Sequence, residues 1–322
     1  MDHLNLMPDT NSFSDHIEFL RDEIDKALSK IPINGSPKYL YDPIQYVISG
    51  RGKRLRPILA HLSGQAHKAD PSALMKVSLA IELLHNFSLV HDDMMDGDEI
   101  RHGKPSVHNK WDDSTAILAG DGLFSLAQLL LTDLPQIIFQ RFNEVALTIC
   151  EGQGLDKEFE HDTSISINQY LSMISKKTGA LLGLSAELGS RLGNLDDHTN
   201  QNMYEFGLNL GLAFQIQDDY LEIFADESTM GKSLGSDISS GKQTVLSILA
   251  RERDSVSWKR FIEKNNEISA YKEYFELNGI KMETKKLIKD YISKSQNNLE
   301  VISKEKIENL EDFTQLILNR KF

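Results

Sequence analysis

Apolar residues recur at helical spacing through nearly the whole chain, with charged residues filling the positions between them. Phe13–Ile31 reads as an amphipathic helix of this kind. Asp70-Pro71 supplies an N-cap followed by proline at the first helical position, and Leu74, Val77, Ile81, Leu84 and Phe87 then form one stripe. Asp112–Leu131, Gln136–Phe159, Ile167–Leu192 and Asp197–Phe224 are predicted as further long helices. Gly207 and Gly211 within the last of these suit close helix–helix packing. Toward the C-terminus Lys and Glu increase, while Ile288, Tyr291, Ile292, Leu299 and Ile302 mark amphipathic helices packing on the rest. Val, Ile and Thr do not gather in alternating runs, so strands are not expected. No linker or repeat divides the chain. The expectation is one all-α domain over residues 1–322, with the polar first dozen residues disordered.

Two of the apolar stripes end in acid. One runs into His91-Asp92-Asp93-Met94-Met95-Asp96, the other into Gln217-Asp218-Asp219-Tyr220-Leu221-Glu222. Residues four apart share a helix face, so Asp92 projects with Asp96 and Asp218 with Glu222. Carboxylates crowded at the end of a buried stripe repel one another unless cations neutralise them. Hard oxygen donors suit Mg²⁺, which keeps part of its water and shares its sphere with phosphate oxygens. A diphosphate is the natural guest.

Basic residues recur near both clusters. Lys53, Arg54 and Arg56 lie in the glycine-containing segment Ser49–Pro57, Arg101 and His102 follow the first cluster, and Lys177 interrupts an apolar helix. Asp226–Lys242, with Lys232 and Lys242, follows the second cluster and is expected to close over a ligand. Overall the 322 residues carry a net charge of −13, which argues against nucleic-acid binding. The apolar content of 40% is that of a globular protein, and no stretch reads as a membrane span. The single Cys150 cannot form an internal disulfide and no signal peptide is evident, so a cytoplasmic protein is expected. Glu82-x-x-His85 and Glu158-x-x-His161 also fit the spacing of di-iron bundles. That reading leaves the paired aspartates and the basic segments unexplained.

As an ordered set, these motifs resemble the trans-isoprenyl diphosphate synthases, the polyprenyl synthetase family. Gly52-Lys-Arg-Leu-Arg-Pro57, Glu82 through Asp96, Glu151-Gly-Gln153, Lys177-Thr-Gly179, Phe214 through Asp219 and Gly241-Lys-Gln-Thr244 carry the resemblance over almost the whole length. It implies the isoprenoid synthase fold, antiparallel helices around a deep central cavity, assembled as a homodimer. It implies a prenyltransferase that joins isopentenyl diphosphate to an allylic diphosphate with about three Mg²⁺ ions in the site. Asp92, Asp96 and Asp218 would ligate metal, with Asp93, Asp156, Asp219 and Glu222 in support. Arg101, Lys177 and Lys232 would hold the allylic diphosphate, and Lys53, Arg56 and His85 the isopentenyl diphosphate. Gln153, Thr178 and Gln215 match polar positions near the reacting groups, and Lys242 lies in the closing loop. Two residues depart from the family pattern. His102 stands where a second arginine is usual, so isopentenyl diphosphate is expected to bind more weakly at high pH. Glu222 replaces the more usual aspartate.

Helix geometry bears on product length. Ser88 lies one turn below Asp92 with Phe87 beside it, and one turn of about 5.4 Å is close to one isoprene unit. An aromatic at this depth, next to a small residue and with no insertion between Asp93 and Asp96, resembles geranylgeranyl (C20) more than farnesyl (C15) synthases. Terpene cyclases share an aspartate-rich motif, but Asp218-Asp219-x-x-Glu222 does not fit their second metal motif. A non-catalytic subunit of a heteromeric synthase would have lost clusters that are intact here.

Overall fold

The computed structural model describes residues 12–50, 52–225, 242–265 and 267–319, the side chains of 304–306 excepted. The expected disorder of the first dozen residues and the segment 226–241, including Lys232, lie outside this set apart from Ser12. Nearly all of the described chain is helical. Helix α1 (Phe13–Leu28) begins where the Ser12 hydroxyl accepts from the Asp15 N–H, and it buries Ile17, Leu20, Ile24 and Leu28. It ends at Leu28, short of the expected Ile31. Helices α2 (Lys38–Ile48) and α3 (Leu55–Ala66) lead into α4 (Pro71–Asp96), capped by Asp70 on the Ala73 N–H with proline at its start. Gly97, at φ 69°, stops α4 directly after Asp96, so the first acidic cluster occupies the last turn.

A hairpin that the sequence reading did not anticipate follows. Strands β1 (Ile100–Arg101) and β2 (Lys104–Pro105) pair antiparallel, and His102 and Gly103 both adopt positive φ in the turn between them. After the short α5 (Val107–Lys110) come α6 (Asp113–Leu131) and α7 (Gln136–Phe159). The expected helix Ile167–Leu192 is divided into α8 (Ile167–Ile174), a π-helical turn over Ser175–Gly179, and α9 (Ala180–Leu192). Helix α10 (Asp197–Phe224) matches its expected span. Helices α11 (Val245–Arg253), α12 (Ser255–Ile262), α13 (Ile268–Leu277), α14 (Ile280–Asn298) and α15 (Lys304–Asn319) complete the described chain.

One core joins α1, α3, α4, α6, α7 and α9, and includes Leu299, Leu310, Phe313 and Ile317 from the C-terminal part. A second gathers Tyr170, Met173, Ile216, Ile223, Val245, Trp258 and Phe275. Helix α10 serves both, with Met203, Phe206 and Leu210 in the first and Leu212, Ile216 and Ile223 in the second. A side-chain carbon at Gly207 would stand 2.2 Å from the Leu182 carbonyl oxygen of α9, and one at Gly211 2.6 Å from Gly179 Cα in the π turn, so α10 meets both backbone to backbone, the close packing expected of these glycines. Helices α4 and α6 are, by length and composition, apolar enough to cross a membrane, which corrects the sequence reading. For α4 the packing explains it, since this helix lies in the core between α3, α6 and α9.

Among the described residues, two arginines outside the cavity lining are paired with buried glutamates. Arg54 meets Glu82 at 2.5 Å and Asp25 at 2.8 Å, and Arg141 meets Glu187. Glu82 is thus an ion-pair residue, and His161 sits at the exposed end of α7 with φ 64°. With Glu82 held by Arg54 and His161 exposed beyond α7, the two Glu-x-x-His pairs do not face a common centre as a di-iron site requires.

Candidate active site

Helices α4, α7, α9 and α10, with the π turn, surround a cavity of about 660 Å³. Its lower part is apolar, formed by Phe87, Ile149, Leu181 and Phe214 beside Ser88. Phe87 meets His91 edge-on at 4.7 Å and Phe124 at 5.3 Å, so an aromatic layer closes this side. The upper part carries Asp92 from α4, Asp218 from α10, and Arg56, His85, Arg101, His102, Gln153, Lys157, Lys177, Thr178 and Gln215. Asp96 opens on a small adjoining pocket with Asp156, Lys157, Glu160 and Lys242. Of the expected site residues, Asp93 and Asp219 sit behind this surface, and Glu222 is half-buried and does not line it. Lys53 is exposed and off the lining.

Each carboxylate of the first cluster is met by a cation. Lys177 reaches Asp92 at 3.2 Å and Asp156 at 2.6 Å. Lys157 and Lys242 grip the two oxygens of Asp96 at 2.8 and 3.0 Å. Arg101, turned inward by the β1–β2 hairpin, donates from Nε to Asp93 at 2.7 Å. The helix-end location explains this demand for cations, because the unpaired carbonyls of a last turn already carry partial negative charge. Burial would raise the Asp96 carboxyl, but the bonds from Lys157 and Lys242 outweigh it and hold it below the usual range. For Asp93 burial prevails over Arg101 and pushes the carboxyl up. Burial would lower Lys177, but Asp92 and Asp156 raise it, so it stays charged.

In the second cluster, the described hydrogen bonds to Asp219 come from neutral donors. Asp219 accepts from the Tyr170 hydroxyl at 2.6 Å, the Val245 N–H at 3.0 Å and the Gln215 amide at 3.2 Å. Thr178 donates to Gln215 at 3.0 Å, which orients that amide toward the carboxylate. The π turn places Lys177 and Thr178 against both long helices. A side-chain carbon at Gly152 would lie 2.3 Å from the Lys177 backbone nitrogen, so only glycine lets α7 approach here.

Arg56 and His85 form a third group on the lining. Arg56 Nη1 is 3.1 Å from His85 Nε2. Burial, then Arg56 and His102, hold His85 well below 6.5, so it is neutral and accepts from Arg56. Burial lowers Arg56 only to about 10, leaving it cationic at neutral pH. The buried Gln153 amide nitrogen lacks a hydrogen-bond partner among the described residues and borders the cavity.

The donor set fits Mg²⁺: Asp92, Asp96 and Asp218 offer hard oxygens, and on Asp92 and Asp96 ammonium groups already stand in for cations. Sequence reasoning missed Lys157 and Tyr170. Lys157 has the i,i+3 spacing to Glu160 of an ordinary surface pair, and Tyr170 that of an ordinary core residue.

The polyprenyl synthetase family model matches residues 37–277. The chain is 40% identical over 243 residues to a short chain isoprenyl diphosphate synthase of Methanothermobacter thermautotrophicus, covering 74% of each chain. It is 40% identical over 262 residues to a geranylgeranyl diphosphate synthase of Sulfolobus acidocaldarius, covering 79% of this chain and 78% of that one. A crystal structure of geranylgeranyl pyrophosphate synthetase from Pyrococcus horikoshii Ot3 superposes with a TM-score of 0.88 at 34% identity, over 96% of this chain and 99% of that one.

Proposed function

The chain belongs to the polyprenyl synthetase family, and from that premise we propose that it is a short-chain trans-prenyltransferase making geranylgeranyl diphosphate from isopentenyl diphosphate and an allylic diphosphate. One observation carries the reading: Asp92 of α4 and Asp218 of α10 border a single cavity whose other end is apolar. A diphosphate ester of a hydrocarbon has that same division.

Asp92, Asp96 and Asp218 would hold Mg²⁺, with Asp93, Asp156, Asp219 and Glu222 keeping them in position. The metal, when bound, supplies positive charge against the departing diphosphate. Lys177, Arg101 and Lys232 bring further cations to that leaving group, which is preorganised electrostatic stabilisation. The apolar walls exclude water from the allylic cation left behind. Arg56, with neutral His85 beside it and His102 nearby, orients isopentenyl diphosphate so that its double bond faces the cation. The departing diphosphate takes up the proton released. Gln153, Thr178 and Gln215 line the reacting zone, and no side-chain nucleophile is required. Phe87, backed by Phe124, limits chain growth and favours the C20 product.

Helices α6 and α7 leave Ile117, Leu118, Leu129 and Leu147 exposed, which supports a homodimer formed by a second copy covering this face. The free thiol Cys150 fits a reducing, cytoplasmic setting. The deciding experiment incubates the purified protein with Mg²⁺, labelled isopentenyl diphosphate and each of the C5, C10 and C15 allylic primers, then sizes the products. A C20 product is expected. Accumulation at C15 assigns a farnesyl synthase instead, and no product with any primer overturns the reading.

A further inference from the structure

Among the described contacts of the first cluster, Asp96 is the carboxylate held by two lysines, and these partners are not equivalent. Its side chain is only 8% exposed, and each oxygen accepts from a different lysine, Lys157 at 2.8 Å and Lys242 at 3.0 Å. Each oxygen keeps a second lone pair, but a divalent ion bonding there would stand beside two ammonium groups, and their like charge opposes it until one of them moves away. Lys157 has somewhere to go. It lies one helical turn before Glu160 on α7 and already touches that carboxylate at 3.0 Å. The two carboxylates differ in exposure, 8% for Asp96 against 31% for Glu160. The ammonium group therefore bridges a buried site, where a bare charge is costly, and a wetter one, where it can rest cheaply.

We infer that Lys157 is a placeholder cation: it neutralises Asp96 in the metal-free protein and yields to the divalent ion by shifting fully onto Glu160. This makes Lys157 a positioning residue whose effect acts through Asp96, and it rests on the prenyltransferase reading in which Asp96 ligates metal. Two consequences oppose each other in sign. Without Lys157 the metal meets less competition at Asp96. Without the Glu160 charge the lysine loses its alternative partner and holds Asp96 more strongly.

The test titrates MgCl₂ into the full chain by calorimetry in the presence of saturating inorganic pyrophosphate, subtracting the same titration without protein. Lys157→Met should tighten Mg²⁺ binding about tenfold, the worth of one charge-assisted hydrogen bond. It should also lower the melting temperature in EDTA by a few degrees, because Asp96 keeps only Lys242. Glu160→Gln should weaken Mg²⁺ binding about threefold, a smaller effect because that carboxylate is more exposed. Unchanged Mg²⁺ affinity in Lys157→Met overturns the inference. Weaker binding in that variant does so as well, since it makes the lysine part of the pyrophosphate clamp. If the unmodified chain binds Mg²⁺ with pyrophosphate and the variants do not shift as stated, only the placeholder falls. If the unmodified chain takes up no Mg²⁺, the metal-dependent reading of the whole site falls with it.

Discussion

The ends of α4 and α10 carry carboxylates at identical spacing, yet the described hydrogen-bond donors to Asp219 differ in kind from those to the first cluster. Lysines or an arginine meet Asp92, Asp93 and Asp96, whereas a phenol, a backbone amide and a side-chain amide hold Asp219. The difference comes from the elements that pack against each helix end. The α7 helix, the π turn and the β1–β2 hairpin bring permanent cations to α4. Tyr170 of α8 and the start of α11 bring neutral donors to Asp219 of α10. Motif spacing alone therefore does not set the electrostatics of a carboxylate cluster. Neutral donors fix a carboxylate's orientation without cancelling its charge, while cations cancel the charge and must be displaced before metal enters.

The largest effect expected is on turnover. If both clusters serve one metal-bound diphosphate, Asp92→Asn and Asp218→Asn should each lower kcat about 10³-fold, roughly 4 kcal/mol of transition-state stabilisation. A steady-state assay with saturating Mg²⁺ reads this. A loss confined to one of the two would break the symmetry of function despite the asymmetry of surroundings.

Below the carboxylates the two helices differ again. One turn down, α10 presents Phe214 and α4 presents Ser88, with Phe87 beside it against Phe124. Phe87→Ala should move the product distribution at least one isoprene unit beyond C20, because the α4 side then stays open as far as Phe124. Phe214→Ala should leave the length less changed. Sizing the products of both variants tests which helix sets the limit, and an unchanged distribution in Phe87→Ala excludes that residue as the floor.

Stability should separate the clusters next. Asp219→Ala leaves three donors from Tyr170, Val245 and Gln215 without their shared acceptor, and about 2–3 kcal/mol should be lost. Asp93→Ala should cost about 1 kcal/mol, because Arg101 retains Asp98 at 3.3 Å and the carboxylate lost was itself disfavoured by burial. Urea unfolding of both variants in EDTA measures the contrast, and equal losses would refute it.

Much of this organisation was legible in the sequence, for physical reasons. Helices α7 and α10 match their expected spans because an apolar stripe and clear terminal signals, Pro135 and Asp196, define them. The acidic clusters were legible because i,i+4 carboxylates after a buried stripe have few ways to be satisfied. The π turn was not, since its extra residue per turn leaves no mark in composition, and a continuous helix over Ile167–Leu192 fits the same pattern. The hairpin was hidden by strands two residues long, although His102-Gly103 is a fair signal for a turn needing positive φ. Lys157 was hidden because its partner Asp96 is 61 residues away in sequence. Lys53 and Arg54 illustrate the reverse, since adjacent basic residues look alike in a motif while one is exposed and the other is a buried ion-pair residue.

The smallest effect expected concerns a cation that is conditional where its neighbours are permanent. Arg101 is raised further by Asp93, although burial opposes it, and Arg56 stays charged well above neutrality at about 10. His85 is held neutral by burial and by Arg56, so it does not gain a proton near pH 7. His102 is exposed in the hairpin turn and borders the cavity, and on the proposed reading it meets isopentenyl diphosphate as a cation only while protonated. The sign follows: the charged form predominates at low pH, so KM for isopentenyl diphosphate should rise as pH climbs from about 6 to about 9, by roughly threefold to fivefold for one exposed charge. His102→Arg should hold KM low across the range while leaving kcat near its original value. A rise that persists in His102→Arg would move the titrating group away from His102. A flat profile in both proteins would mean that Arg56 alone carries the second diphosphate, and the cation supply around this mouth would then be permanent throughout.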